Sequence, residues 1–369
     1  MSTATETGTA EAPRGLLARV LGSPWLRPLN DLQVLDELVA PLQIVWSPVR
    51  IRARVVERRA ETPDCCTLRL RPNARWPGFL AGQHVGVEVE LNGRRHVRRY
   101  SLTSDPAQRG DISITVKRQP GGQVSNWLHD EAAVGTVLGL QPPEGDFVLP
   151  PRLPDRLLMM SAGSGVTPLY AMLLELRNRR YHGDIAFVHV CRDGSHAIFD
   201  AALQALAGDL PGLRLLRIET AGGGRPSTEA LLAAVPDYAQ RLTLLCGPDP
   251  MMKPIRSLWQ QQGLADKLLW ERYAAVVPAA PDAVAVDVGC LRSGRQFSAS
   301  TGQPLLLSAE AAGLAPRYGC RAGICHTCRY RKRSGRTENL LTGEVSEEPG
   351  EIVQLCISLP RSDLEFEDL

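Results

Sequence analysis

The chain has 369 residues, a formal charge of +2, 44% hydrophobic and 22% charged side chains. That length accommodates about two to four domains with cores of their own, and the balance is that of an ordinary globular protein. So small a net charge gives no reason to expect a nucleic-acid partner.

Residues 1–47 read as an N-terminal extension, partly disordered. The opening MSTATETGTAEAPRG is polar and lacks the apolar centre of a signal peptide. Helical apolar spacing follows at Leu16, Leu17, Val20, Leu21, Leu32, Leu35, Leu38 and Val39. From residue 48 to 152 the pattern turns to short alternating runs, Val85–Leu91 and Ile112–Val116. Turn signals at Asn92-Gly93, Asp105-Pro106 and Pro120-Gly121-Gly122 separate them, which predicts a small antiparallel β-barrel.

Pro150, Pro151 and Pro154 mark a boundary near residue 152. Over 153–276, apolar strands (Arg156–Met160, Ile185–Val190, Leu213–Ile218, Leu242–Leu245) alternate with helical segments (Leu169–Asn178, Phe199–Leu206, Met251–Gln262). That layout predicts an α/β unit with a parallel sheet. The uncharged run Leu157–Leu174 approaches the length of a bilayer span, but Ser161, Gly163, Ser164, Gly165 and Pro168 interrupt it. Strand, glycine turn and helix start account for it, and no transmembrane segment is predicted. Residues 277–282, Val-Pro-Ala-Ala-Pro-Asp, form a linker to a last unit at 283–369.

Four segments carry potential chemistry. Arg98-Arg99-Tyr100-Ser101 on a barrel strand could grip a phosphate, stack a ring and bond a ring nitrogen, or could simply be surface. Lys117 and then Gly121-Gly122-Gln123-Val124-Ser125 fit a helix N-terminus able to hold a pyrophosphate, or an ordinary turn with a Ser cap. Ser161-Ala-Gly163-Ser-Gly165-Val-Thr167-Pro168 sits between strand and helix, with Pro168 where the dinucleotide fingerprint has its third glycine. Cys246-Gly247-Pro248-Asp249-Pro250-Met251 repeats that geometry at a later strand, where Pro250 also suits simple capping.

The cysteines are the sharpest signal. Cys320, Cys325 and Cys328 stand as C-x4-C-x2-C, with Cys356 distant, the ligand spacing of a plant-type [2Fe-2S] cluster. Gly319, Ala322 and Gly323 leave room for backbone N–H groups to approach the bridging sulfurs. Structural zinc also takes four cysteines, usually as two close pairs. His326 reads as a loop residue, and the run Arg329, Arg331, Lys332, Arg333, Arg336 as a solvated hairpin or a docking face for an acidic partner. Cys65, Cys66, Cys191, Cys246 and Cys290 remain, an odd set that reads as reduced thiols of a cytoplasmic protein.

In this order the RxYS, GGxVS, GxGxxP and CGPxPM motifs and the ferredoxin loop resemble the ferredoxin–NADP reductase superfamily. Specifically, residues 48–369 resemble a fused reductase with its ferredoxin domain C-terminal. The resemblance implies a β-barrel FAD domain, an α/β NAD(P) domain and a β-grasp ferredoxin domain. By position, Arg98, Tyr100 and Ser101 would hold the flavin, and Lys117, Gly121, Gly122, Val124 and Ser125 its pyrophosphate. Gly163, Gly165, Thr167, Cys246 and Asp249 would line the nicotinamide-nucleotide site. Tyr273, in Glu271-Arg272-Tyr273, would flank the flavin ring, so that Ser101, Cys246 and Tyr273 are the expected reaction residues. Arg192 and Arg225 resemble arginines that take a 2′-phosphate, favouring NADPH over NADH.

The implied function is electron transfer from NADPH through FAD and the cluster to an oxygenase. Trp25–Asn30 and Pro41–Pro48 resemble the extension on reductases of membrane fatty-acid desaturases, which implies such an acceptor and peripheral contact with a membrane-bound partner. The alternative acceptor is a soluble ring-hydroxylating or phenylacetyl-CoA-type oxygenase. A non-catalytic redox or metal-sensing module would show neither flavin nor nucleotide oxidation.

Overall fold

The computed structural model describes residues 44–91, 94–271, 283–318, 323 and 326–369. The expectations for residues 1–43, the linker, Tyr273, Cys320 and Cys325 lie outside the described residues. The first unit comprises β1 (Ile51–Thr62), β2 (Cys65–Pro72), β3 (His84–Leu91), β4 (Arg94–Ser101), β5 (Ile112–Lys117), α1 (Gln123–Asp130) and β6 (Val137–Glu144). The strands run antiparallel in the order β4-β3-β6-β1-β2-β5. Just past β4, Leu102 bridges Ile114 of β5, so the outermost strands meet and the sheet closes into a barrel. Alternation drives the closure: Val85, Val87 and Val89 of β3 share one core with Ile112, Ile114 and Val116 of β5. Val124 and Leu128 of α1 pack into that core as well.

The second unit is β7 (Arg156–Ala162), α2 (Val166–Asn178), β8 (Asp184–Cys191), α3 (Asp200–Asp209), β9 (Leu213–Glu219), α4 (Thr228–Ala233), β10 (Leu242–Cys246), α5 (Asp249–Gln261) and β11 (Leu268–Glu271). Its sheet is parallel, in the order β11-β10-β7-β8-β9. Strands β7 and β8 are buried on both faces, because helices cover each side. Neither α4 nor β11 was expected from the sequence; both are short and carry little periodic pattern. The Leu157–Leu174 run resolves into β7, a tight turn and the start of α2. Among the described residues no helix is long and apolar enough to cross a membrane.

The third unit holds β12 (Ala285–Cys290), β13 (Gln296–Ser300), α6 (Leu305–Ala311), β14 (Arg329–Ser334), β15 (Thr337–Asn339), β16 (Val345–Ser346), β17 (Ile352–Gln354), β18 (Ser358–Pro360) and β19 (Leu364–Phe366). A mixed sheet, β13-β12-β19-β14-β17, has β12 and β19 parallel and its other pairs antiparallel. Leu305, Leu306 and Ala309 of α6 cover it, a β-grasp arrangement. One expectation is corrected here. The basic run after Cys328 is not wholly solvated: it is the strand β14, so alternate side chains turn inward. Lys332 is fully buried, and its Nζ donates to the carbonyls of Gly335 (2.7 Å) and Ser346 (2.6 Å), beside the Glu351 carboxylate at 3.6 Å.

The barrel and the parallel sheet share an apolar contact. Neighbouring residues on β2 face opposite ways: Cys66 lies in the barrel core, whereas Cys65 joins Ala81, Phe147 and Leu149 against the core of the second unit. Burial pushes both thiols up in pKa, so they remain neutral packing groups. A polar clasp closes the edge, where Asp105 accepts from Asn178 (2.6 Å) and Arg177 (3.3 Å).

Within the parallel sheet, buried Arg241 donates to the Leu157 carbonyl (3.1 Å) and the Asp237 carboxylate (2.8 Å) and pairs with Asp184. The Arg241 hydrogen bond holds the Asp237 carboxyl below its usual range. That contribution is present above the ordinary carboxylate pKa and is lost as pH falls through the depressed value. Arg241→Met should cost about 1.5 to 3 kcal/mol at neutral pH, the range for losing hydrogen bonds to charged groups. The gap between variant and wild-type urea midpoints should narrow as pH falls below the ordinary carboxylate range and through the depressed Asp237 value.

Candidate functional site

The sheet order makes β7 and β10 neighbours whose following connections run to opposite sides. This is the topological switch point where open α/β sheets bind nucleotides, outside the strand carboxyl ends. Two of the sequence motifs meet there. A Cβ on Gly165 would lie 2.1 Å from the Cys246 carbonyl oxygen, so only glycine lets the first turn approach the second. Gly163 takes φ +52, and Thr167 Oγ1 ties the turn by donating to the Ser164 carbonyl at 2.8 Å. Cys246 is buried at the end of β10, and Asp249 opens α5. Beneath the turn, Ser161 Oγ and His189 Nδ1 are 2.8 Å apart; burial pushes the imidazole down to about 4, so this is a neutral hydrogen bond.

On the barrel, Ser101 is buried at the end of β4 and Tyr100 packs against the core, its phenol pushed up in pKa by burial. Lys117 ends β5, 3.5 Å from Asp64 and facing Gly163 across the domain contact. Helix α1 opens at Gly122 without a side-chain cap. Ser125 Oγ is buried and has no hydrogen-bond partner among the described residues. A Cβ on Gly122 would come within 2.4 Å of that oxygen and 2.9 Å of Gln119 Cβ, so a side chain there would displace the Ser125 hydroxyl. An uncapped helix N-terminus with a buried, unsatisfied hydroxyl suits an anionic group such as a pyrophosphate. Of this set, Val124 offers only its backbone, since its side chain is in the barrel core.

Arg192 and Arg225 are exposed in adjoining loops: Ala221 N–H donates to the Arg192 carbonyl at 2.7 Å. Arg192 Nη1 lies 3.2 Å from His196 Nε2, and among the described residues neither arginine pairs with a carboxylate.

In the third unit Cys328 and Cys356 are buried, and Leu355 N–H donates to the Cys328 carbonyl at 3.0 Å. Gly323 takes φ +79 with its Cβ position 2.7 Å from Ile357, and Gln354 donates to its carbonyl at 2.8 Å. The loop is thus held tight where a bulky residue would not fit, as a cluster loop requires. His326 is exposed at φ +55, as suits a loop residue. Among the described residues no disulfide forms, and Cys65, Cys66, Cys191, Cys246 and Cys290 are all buried.

Two junctions were not legible in the sequence. Tyr318, just ahead of the cluster loop, lies against β4: its ring is edge-on to His96 and the Arg98 guanidinium is 5.6 Å from its centroid. His84, opening β3, is 3.2 Å from Glu271, closing β11. His84 had as its only signal a position after Gly82-Gln83 at a strand start.

Residues 52–149 match the oxidoreductase FAD-binding domain, 159–257 the oxidoreductase NAD-binding domain and 290–361 the 2Fe-2S iron-sulfur cluster binding domain. An NADPH oxidoreductase of Mycobacterium tuberculosis is 36% identical over 86% of this chain and 84% of its own. The glycine betaine monooxygenase reductase subunit of Chromohalobacter salexigens is 31% identical, covering 87% and 96%. Phthalate dioxygenase reductase shares the fold, with a TM-score of 0.63 at 22% identity over 86% of this chain and 97% of that one. A flavin barrel, a nucleotide sheet and a cysteine-bearing β-grasp unit in sequence define a multidomain redox enzyme. The chain belongs to the ferredoxin–NADP reductase superfamily, as a fused oxidoreductase with FAD-, NAD- and 2Fe-2S-binding domains in that order.

Two substitutions test the site. Gly165→Ala forces a backbone clash with Cys246 and should weaken NADPH binding at least about tenfold, read by titration calorimetry. Ser125→Ala should leave the fold intact and raise the FAD dissociation constant by roughly tenfold, read by flavin release on dilution.

Proposed function

We propose that the chain is an NADPH-dependent reductase that feeds electrons from FAD and a [2Fe-2S] cluster to an oxygen-activating partner. The observation that carries this is the junction at β4. One strand bears Ser101 and Tyr100 at the flavin end and, through Arg98 and His96, touches Tyr318 beside the cluster loop. Bound in these units, flavin and cluster supply the two-electron and one-electron chemistry that exchange between hydride and single electrons requires.

The chain's own residues bind and orient. Arg98, Tyr100 and Ser101 position the flavin on β4, and Lys117 with the 121–125 turn takes the pyrophosphate. Gly163, Gly165, Thr167, Cys246 and Asp249 hold the nicotinamide nucleotide, with Tyr273 at the flavin ring. Cys320, Cys325, Cys328 and Cys356 hold the cluster; burial of Cys328 and Cys356 keeps water from that side. The exposed arginines in the Arg192 and Arg225 loops suit the 2′-phosphate of NADPH. Buried cysteines with no disulfide among the described residues fit a cytoplasmic enzyme.

The acceptor divides two ways. The names of the relatives, monooxygenase reductase subunits among them, support an oxygenase. The likeness of Trp25–Asn30 and Pro41–Pro48 to desaturase-reductase extensions supports a membrane fatty-acid desaturase, and Trp46 at the inner end of that segment is 57% exposed. Reconstitution of turnover with a membrane acyl desaturase and with a soluble oxygenase separates them; loss of only the desaturase reaction on removing residues 1–43 would favour the membrane acceptor.

Anaerobic titration of the purified protein with NADPH should bleach both flavin and cluster bands, and absence of either would remove the electron-transfer assignment. In the double variant Arg192→Ala/Arg225→Ala, KM for NADPH should rise by about tenfold or more with KM for NADH nearly unchanged. Equal rises would sink the 2′-phosphate role.

A further inference from the structure

The barrel and the nucleotide sheet meet at a second polar contact, made by His84 and Glu271. In the antiparallel register of β3 and β4, His84 is opposite Ser101, so the two side chains stand on the same face of the barrel. In the parallel register of β10 and β11, Glu271 is level with Cys246. The contact between His84 Nδ1 and Glu271 Oε1, 3.2 Å, therefore ties the strand end that carries Ser101 to the strand end that carries Cys246.

The pair is enclosed. His84 is 6% exposed, and its ring rests on the backbone of Gly145, where a Cβ would come within 3.0 Å of Nδ1. Gly145 holds φ +118, which leaves the space for the imidazole that a side chain would fill. His84 Nε2 and Glu271 Oε2 are both buried and have no hydrogen-bond partner among the described residues. Two unpaired buried polar atoms on one interdomain contact are costly unless the contact is used.

We propose that His84 is a positioning residue for hydride transfer. It latches the carboxyl end of β11 to the flavin strand and, through Glu271, sets the separation between the Ser101 and Cys246 ends. A link between two separately folded sheets is what a distance-critical transfer needs, since a misplacement of about 1 Å can cost about a hundredfold in rate. This rests on the reductase assignment above.

The test uses the full-length holoprotein and three variants: His84→Ala, His84→Gln and Glu271→Gln. Rapid mixing with NADPH gives the limiting rate of flavin bleaching and the half-saturating concentration, and hydrogen exchange reports the β11 amides independently of turnover. In His84→Ala the limiting rate should fall about tenfold or more with less than about threefold change in half-saturation, and Leu268–Glu271 should exchange faster while β8 does not. The Gln variant, which keeps a donor at that reach, should recover part of the rate. Combining His84→Ala with Glu271→Gln should cost no more than about twofold beyond the worse single variant, because both break one link. Additive losses, an unchanged limiting rate, or unchanged β11 exchange would overturn the proposal. Should His84→Ala lose its flavin, His84→Gln and Glu271→Gln decide, and full rates in both would overturn it equally. If the wild type itself does not bleach with NADPH, the reductase assignment fails instead.

Discussion

The apolar contact between the flavin barrel and the parallel sheet is the constraint on which the remaining geometry depends. Cys65, Ala81, Phe147 and Leu149 leave the barrel to pack with Leu169, Met172 and Leu173 of the nucleotide unit. Burial of this kind is non-directional and brings the two units together without choosing an orientation. Orientation comes from the polar contacts at its margins, Asp105 with Arg177 and Asn178 at one edge and His84 with Glu271 at another. With that contact in place, the turn after β7 lies near Lys117 of β5, and Glu271 of β11 meets His84 of β3.

Close backbone approach is the second theme. Gly165 against the Cys246 carbonyl, Gly122 against Ser125 and Gly323 against Ile357 are positions where a single methyl group would displace main chain or packed side chain. Each lies in a segment that the domain matches assign to the flavin, nucleotide or cluster domain. At the Gly122 and Gly165 turns such close approach suits anionic groups, which backbone N–H donors hold only at short range.

Much of this was legible in the sequence because it is local. The alternating run in β3, the glycine turn after β7 and the C-x4-C-x2-C spacing each declare themselves within a dozen residues, so the flavin, nucleotide and cluster units could be read in order. What escaped is long-range or short of pattern. The strand β11 has four residues and no clear alternation. The inward turn of Lys332 is invisible until β14 is known to be a strand between β17 and β19. The His84–Glu271 and Tyr318–His96 contacts join residues so far apart in the chain that no periodicity relates them.

The distribution of the cores also says which parts of the chain are portable. Among the described residues, the buried core of the third unit, from Val288 to Phe366, is drawn from that unit alone, with Tyr318 reaching out to β4. The barrel and the nucleotide sheet are joined by an apolar contact, with Cys65 and Cys66 on successive positions of a single strand serving the second unit's core and the barrel's own core. Gene rearrangement can thus carry the iron–sulfur unit to either end of a polypeptide, or detach it as a separate carrier, without opening its core, at the cost of the Tyr318 contact alone among the described residues. The other two units must travel as a couple, since cutting between them would uncover a greasy flank on each and leave both prone to aggregate.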